Sequence, residues 1–122
     1  MDDVLLITVR RERGYVIVAV TGEIDISTVT GLRERLSELA ESGQPLIVDL
    51  TRITFIDSAG LGALVGAARR AADKGGSLRA VCARPQTRKL LWLTGVDRRI
   101  PLEASLDGAL ASVAASPGDD LG

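Results

Sequence analysis

Asp57 and Ser58 form the pair whose setting in the chain points most clearly to chemistry. They follow an apolar, β-branched stretch and open a run rich in glycine and alanine, Ser58-Ala59-Gly60-Leu61-Gly62-Ala63-Leu64-Val65-Gly66. A serine at such a junction can act as a nucleophile, a helix cap or an acceptor for a phosphoryl group. Nucleophilic catalysis needs a base, and the chain contains no histidine. A Ser-His-Asp triad therefore cannot be assembled. Position 56 is Ile where the nucleophile elbow of hydrolases needs Gly. Cys82 is the only cysteine, so neither an intramolecular disulfide nor a His/Cys metal site is available. No G-x-x-x-x-G-K motif followed by Ser or Thr occurs. No catalytic residue, metal or cofactor is expected.

The other two uses of Ser58 remain. Either Asp57 or Ser58 can cap the helix that begins here. A helix N-terminus presents unpaired N–H groups and a positive partial charge, so it can hold a phosphate on Ser58 without rearrangement. Gly60 and Gly62 remove side chains around that position and leave the hydroxyl open to another protein. Gly60, Gly62 and Gly66 also let a neighbouring element approach closely, a use that offsets the cost of about 1 kcal/mol each against Ala.

The elements that position this pair follow from periodicity. Residues 4–10 and 15–22 are β-branched runs joined by the polar turn Arg11-Glu12-Arg13-Gly14, which predicts a hairpin toward one side of the sheet. Val29, Leu32, Leu36 and Leu39 recur at helical spacing, with Ser27 or Thr28 as the cap and Gly43 and Pro45 as the stop. Residues 46–50 predict a short buried strand and Thr51 to Asp57 a loop. A helix follows from Ser58 to Lys74, ended by Gly75-Gly76. Residues 77–83 predict a strand, Pro85 to Thr94 a helix with Pro at its first turn, and Ile100 to Leu102 a short edge strand. A last helix capped by Ser105 buries Leu106, Ala109, Leu110 and Val113. The fold class is α/β: one domain over residues 1–115, with a mixed, mainly parallel sheet of four or five strands and about four helices. Residues 116–122 are expected to be a disordered tail.

Composition agrees with one globular domain of 122 residues, 46% hydrophobic and 25% charged. Tyr15, Phe55 and Trp92 are the only aromatics, so the core must be aliphatic. Fifteen basic and 16 acidic residues give a net charge of −1. Direct nucleic-acid binding, which draws its affinity from a basic field, is not expected. The pairs Arg10-Arg11, Arg69-Arg70 and Arg98-Arg99 are assigned to solvated surface. Cys82 is expected to be a buried, inert thiol. No apolar run approaches the ~20 residues that span a bilayer, so a cytoplasmic protein without a membrane partner is expected.

Three motifs in order resemble the STAS domain family, specifically the bacterial anti-sigma factor antagonists. Val48-Asp49-Leu50 followed by Phe55-Ile56-Asp57-Ser58-Ala59-Gly60-Leu61 is similar to the family's central signature. Thr21-Gly22-Glu23-Ile24-Asp25 and Leu93-Thr94-Gly95-Val96-Asp97 match its flanking segments, and the likeness covers about residues 4–114. The resemblance implies that Ser58 is the phosphorylation site. It also implies partner-binding roles for Asp25, Asp57, Ser58, Ala59, Gly60 and Gly62. The implied partners are an anti-sigma factor that is a serine kinase, which the unphosphorylated form binds so that a sigma factor is released, and a PP2C-type phosphatase that resets the switch. Asp25 can equally cap the first helix or its leading turn. Many family members carry a second hydroxyl residue after the acceptor, where this chain has Ala59. A STAS scaffold or ligand-sensing module, within a stress-signalling or lipid-transport assembly, is the alternative use of the same fold.

Overall fold

In the computed structural model, which describes residues 4–114, five strands form one mixed sheet in the order β1-β2-β3-β4-β5. The strands are β1 (Leu6–Glu12), β2 (Tyr15–Ile24), β3 (Pro45–Ile56), β4 (Ser77–Val81) and β5 (Leu102–Glu103). β1 pairs antiparallel with β2, and every later pairing is parallel. The helices α1 (Val29–Ala40), α2 (Ser58–Asp73), α3 (Pro85–Leu93) and α4 (Leu106–Ala114) alternate with these strands, as parallel crossovers require. The hairpin lies at the β1 edge. Its turn is tighter than the sequence implied, because Arg13 and Gly14 alone bridge Glu12 and Tyr15 with φ of 54° and 84°. Two successive left-handed residues match the twist of the flanking strands.

Strand alternation divides the core. Val16, Val18 and Val20 of β2, with Leu46 and Val48 of β3, face α1, α2 and α3. Tyr15, Ile17, Ile47 and Val81 face the other way, onto Ala109 and Leu110 of α4. Val29, Leu32 and Leu36 on α1 and Leu61 and Leu64 on α2 are buried as expected, while Leu39 is only half-buried. The rest of the α2 stripe, expected at Val65, Ala68 and Ala72, runs instead through Ala67 and Ala71. Ser105 caps α4 by accepting the Gly108 amide at 3.0 Å. The Val113 side chain and residues 116–122 lie outside what the structure describes.

One expected loop is a strand. β3 does not stop at Leu50 but runs to Ile56, paired with β2 through Thr21↔Arg52, Gly22↔Ile53, Glu23↔Phe55 and Ile24↔Ile56. Register shifts between Ala19 and Thr21 and between Gly22 and Glu23 absorb extra residues. The buried positions Leu50, Ile53 and Ile56 therefore recur at intervals of three, and the period-two signal vanishes. The extension carries the end of β3 to α2 with only Asp57 between them. Smaller corrections fall at element ends. β1 and β5 start two residues later than expected, and β4 ends at Val81.

Candidate functional site

Asp57 is the hinge between strand and helix. Its amide donates to the Ile24 carbonyl at 3.1 Å, which continues the β2–β3 ladder by one bond. Its φ and ψ are −112° and −171°, the extended geometry of a cap. Its Oδ1 accepts the amides of Ala59 at 2.9 Å and Gly60 at 3.2 Å. Asp57 is thus the cap, and Ser58 is the first residue of α2, exposed to solvent. This geometry corrects one expectation. The free amides of the helix start do not stand vacant for a phosphate, because the Asp57 carboxylate already holds two of them.

Asp25 sits at the end of β2, one residue past the Ile24↔Ile56 pair. Adjacent strands lie about 4.7–4.9 Å apart, so the backbones of Asp25 and Asp57 are neighbours. Its carboxylate, however, serves its own turn. Oδ1 accepts the Ser27 hydroxyl at 2.7 Å, the Ser27 amide at 2.9 Å and the Thr28 amide at 3.1 Å. The Ser27 hydroxyl, with the two amides and the Thr28 hydroxyl, holds the carboxyl below the usual carboxylate range. Of the two uses open to Asp25, capping the leading turn of α1 is present. Thr28 occupies the N-cap position without a side-chain cap, its hydroxyl donating to the Glu23 carbonyl at 2.8 Å.

The three glycines of α2 differ. Gly60 is buried, and a Cβ there would lie 2.6 Å from Ile24 Cγ2 and 2.7 Å from Ile56 Cγ1. It allows α2 to start tight against the ends of β2 and β3, and it does not open the surface as expected. Gly62 and Gly66 are exposed with empty space where a Cβ would stand. With Ser58 they fall at intervals of four, so one face of α2 is flat from the hydroxyl onward. Between that face and α1, Arg33, Ser37, Gly62, Ala63, Gly66, Ala67 and Arg70 line a cleft of about 170 Å³.

Two apolar side chains at this end of the sheet are exposed, Phe55, which stands in the central motif, and Ile26, which lies outside the motifs. Ile26 follows Asp25 in the turn, and Phe55, 49% exposed, lies three residues before Ser58. The scarcity of aromatics was the available signal, since a chain with three would be expected to bury them. Among the described residues no group of His, Cys, Asp and Glu side chains could hold a metal ion. No helix there is long and apolar enough to cross a membrane.

A mixed, mainly parallel sheet with helices on both faces, and a serine exposed at the first residue of the second helix, define the class of protein. The STAS domain profile matches residues 7–109, and the chain belongs to that family. An anti-sigma-B factor antagonist from Bacillus subtilis is 32% identical over 104 residues, 85% of this chain and 95% of that protein. An anti-sigma-F factor antagonist from Mycobacterium tuberculosis is 32% identical over 114 residues, 91% of each chain. The crystal structure of an anti-sigma factor antagonist from Mycobacterium paratuberculosis superimposes with a TM-score of 0.85 at 31% identity. That match covers 93% of this chain and 97% of the other.

Proposed function

We propose that this chain is an anti-sigma factor antagonist whose binding is switched by a phosphate on Ser58. In this reading the unmodified protein binds a serine-kinase anti-sigma factor and frees its sigma factor. The kinase then transfers a phosphoryl group to the Ser58 hydroxyl, and a PP2C-type phosphatase removes it. The observation that carries the reading is the exposed Ser58 hydroxyl on the first turn of α2, next to the Asp57 carboxylate. The names of relatives that match along most of the chain support the same role.

Electrostatics supplies enough energy. A phosphate brings about −1.5 to −2 charges. At about 5 Å a unit pair repels by about 0.8 kcal/mol in water and about 3 kcal/mol once a partner lowers the effective dielectric to about 20. The difference, about 2.5 kcal/mol per carboxylate, is a binding loss of nearly two decades. Neither the sheet nor α2 has to refold. Asp57 supplies the repelling charge, Asp25 fixes the neighbouring turn, and Ala59 and Gly62 keep the approach low. Gly60 acts from within, by packing.

The test is intact mass after incubation with ATP, Mg2+ and the candidate anti-sigma kinase, followed by binding of both forms. A gain of one phosphate, mapped to Ser58 and accompanied by weaker binding, is the expected result. No gain, with binding retained, would favour a STAS scaffold that does not switch.

A further inference from the structure

The outer face of α3 joins two features that the switch does not use. Thr87 and Leu91 bury one side of this helix, and Pro85, Gln86, Lys89, Trp92 and Leu93 stand on the other. Trp92 and Leu93, adjacent at its C-terminal end, are 63% and 62% exposed. Leu90 continues the apolar strip toward Phe55, which shares a shallow depression with Arg84, Gln86, Thr87 and Leu90. Two of the chain's three aromatics, Phe55 and Trp92, are therefore exposed.

Charge is the second feature. From residue 84 to residue 99 the chain carries Arg84, Arg88, Lys89, Arg98 and Arg99 against the single carboxylate Asp97, in a protein whose net charge is −1. Arg88 donates to the Cys82 carbonyl at 2.8 Å. Arg84, Lys89, Arg98 and Arg99 are exposed, and among the described residues none of them takes part in an ion pair. Successive turns keep the segment compact. The Gly95 amide donates to the Trp92 carbonyl, Arg98 to Gly95 and Arg99 to Val96. Cations thus precede and follow the exposed tryptophan and leucine along the chain, with Arg99 lining a depression beside Val65, Ala68 and Ala72 of α2.

We propose that this face is a docking surface for an anionic lipid bilayer. Trp92 and Leu93 would seat at the headgroup boundary while Arg84, Lys89, Arg98 and Arg99 meet lipid phosphates. A side chain that is apolar in body and polar at its tip suits that boundary, and cations near an anionic leaflet add attraction. Both anchors are exposed at the end of one helix and outside the depression at Phe55, an arrangement that fits a flat, fluid surface better than a partner of fixed shape. A segment lying on a bilayer needs no spanning run, so the lack of one does not bear on this contact.

Trp92 is the only tryptophan, so its emission reports on this face alone. Vesicles of phosphatidylcholine mixed with phosphatidylglycerol should shift that emission to the blue, and brominated acyl chains should quench it. High salt should reverse both effects. Co-sedimentation with the same vesicles should weaken at least fivefold in Lys89→Glu, what one cation near an anionic leaflet supplies. It should also weaken in Leu93→Ala, with thermal unfolding unchanged in both variants. No shift with anionic vesicles would overturn the proposal, as would equal binding to phosphatidylcholine alone. An emission shift with poly-glutamate but none with vesicles would overturn it in favour of an acidic protein surface. None of these readings depends on whether Ser58 is phosphorylated.

Discussion

Ser58 and Asp57 are neighbours with separable duties, and substitutions should part them. Ser58 is exposed and caps nothing, so Ser58→Ala should leave stability within about 0.5 kcal/mol. It should bind the anti-sigma partner as the unmodified protein does. Ser58→Glu should bind more weakly by calorimetry, because a carboxylate supplies part of the phosphate charge. Equal affinity in the two variants would remove the electrostatic switch. Asp57→Ala instead orphans the amides of Ala59 and Gly60 and should cost about 0.5–2 kcal/mol in urea unfolding. Asp25 adds a pH signature. Its pKa is depressed in the folded state, chiefly by the Ser27 hydroxyl, so its contribution is complete above the ordinary carboxylate range. That contribution is lost as pH falls through the lowered folded value. Amide exchange at Ser27 and Thr28, corrected for intrinsic rates, should accelerate only in that acid window, and in Asp25→Asn the step should vanish. The end signals and the motifs that resemble the family placed Ser58 at a helix start, where the structure has it. They did not announce which oxygen caps α2, because Asp and Ser have equal claim to a cap and only the strand geometry at Asp57 decides.

At the junction of elements, the glycines of α2 make a sharper test than any helix prediction. Gly60→Ala would push a methyl into Ile24 and Ile56, both buried, and overpacking of this kind costs about 1–3 kcal/mol. Gly62→Ala and Gly66→Ala meet open space and should stabilise the fold by up to about 1 kcal/mol each through helix propensity. If Gly62 is there for a partner's close approach, its alanine variant should gain in thermal unfolding and lose in partner affinity. Gain in both would leave Gly62 without a binding role. The sequence displayed all three glycines identically, because only the packing of β2 and β3 against the start of α2 distinguishes them. The helices themselves were legible, α1, α2 and α4 from apolar spacing with end signals and α3 from Pro85 and Gly95 at its ends. The second half of β3 was not. Its two register shifts replaced alternation with intervals of three, and its exposed Thr51, Arg52 and Thr54 imitated a loop.

Taken as a whole, the molecule is a largely aliphatic core enclosed by helices, with Tyr15 buried and Phe55 and Trp92 on the surface. Cys82 reports on how well that core is sealed. Its thiol is 1% exposed at the end of β4, and burial pushes its pKa up, so neither access nor thiolate is available in the folded state. Alkylation must then wait for opening, and its rate measures the population that opens. Leu64, 1% exposed on α2, belongs to the same cluster of side chains. Leu64→Ala should cost about 2–5 kcal/mol. If β4 is exposed only by global unfolding, labelling of Cys82 by iodoacetamide should accelerate about thirtyfold or more in that variant, since each 1.4 kcal/mol is a factor of ten. Labelling at the same rate in both proteins would mean that Cys82 is reached by a local opening of β4 and α3. The sheet would then be cooperative only from β1 to β3, the part that holds Asp25, Asp57 and Ser58 in register.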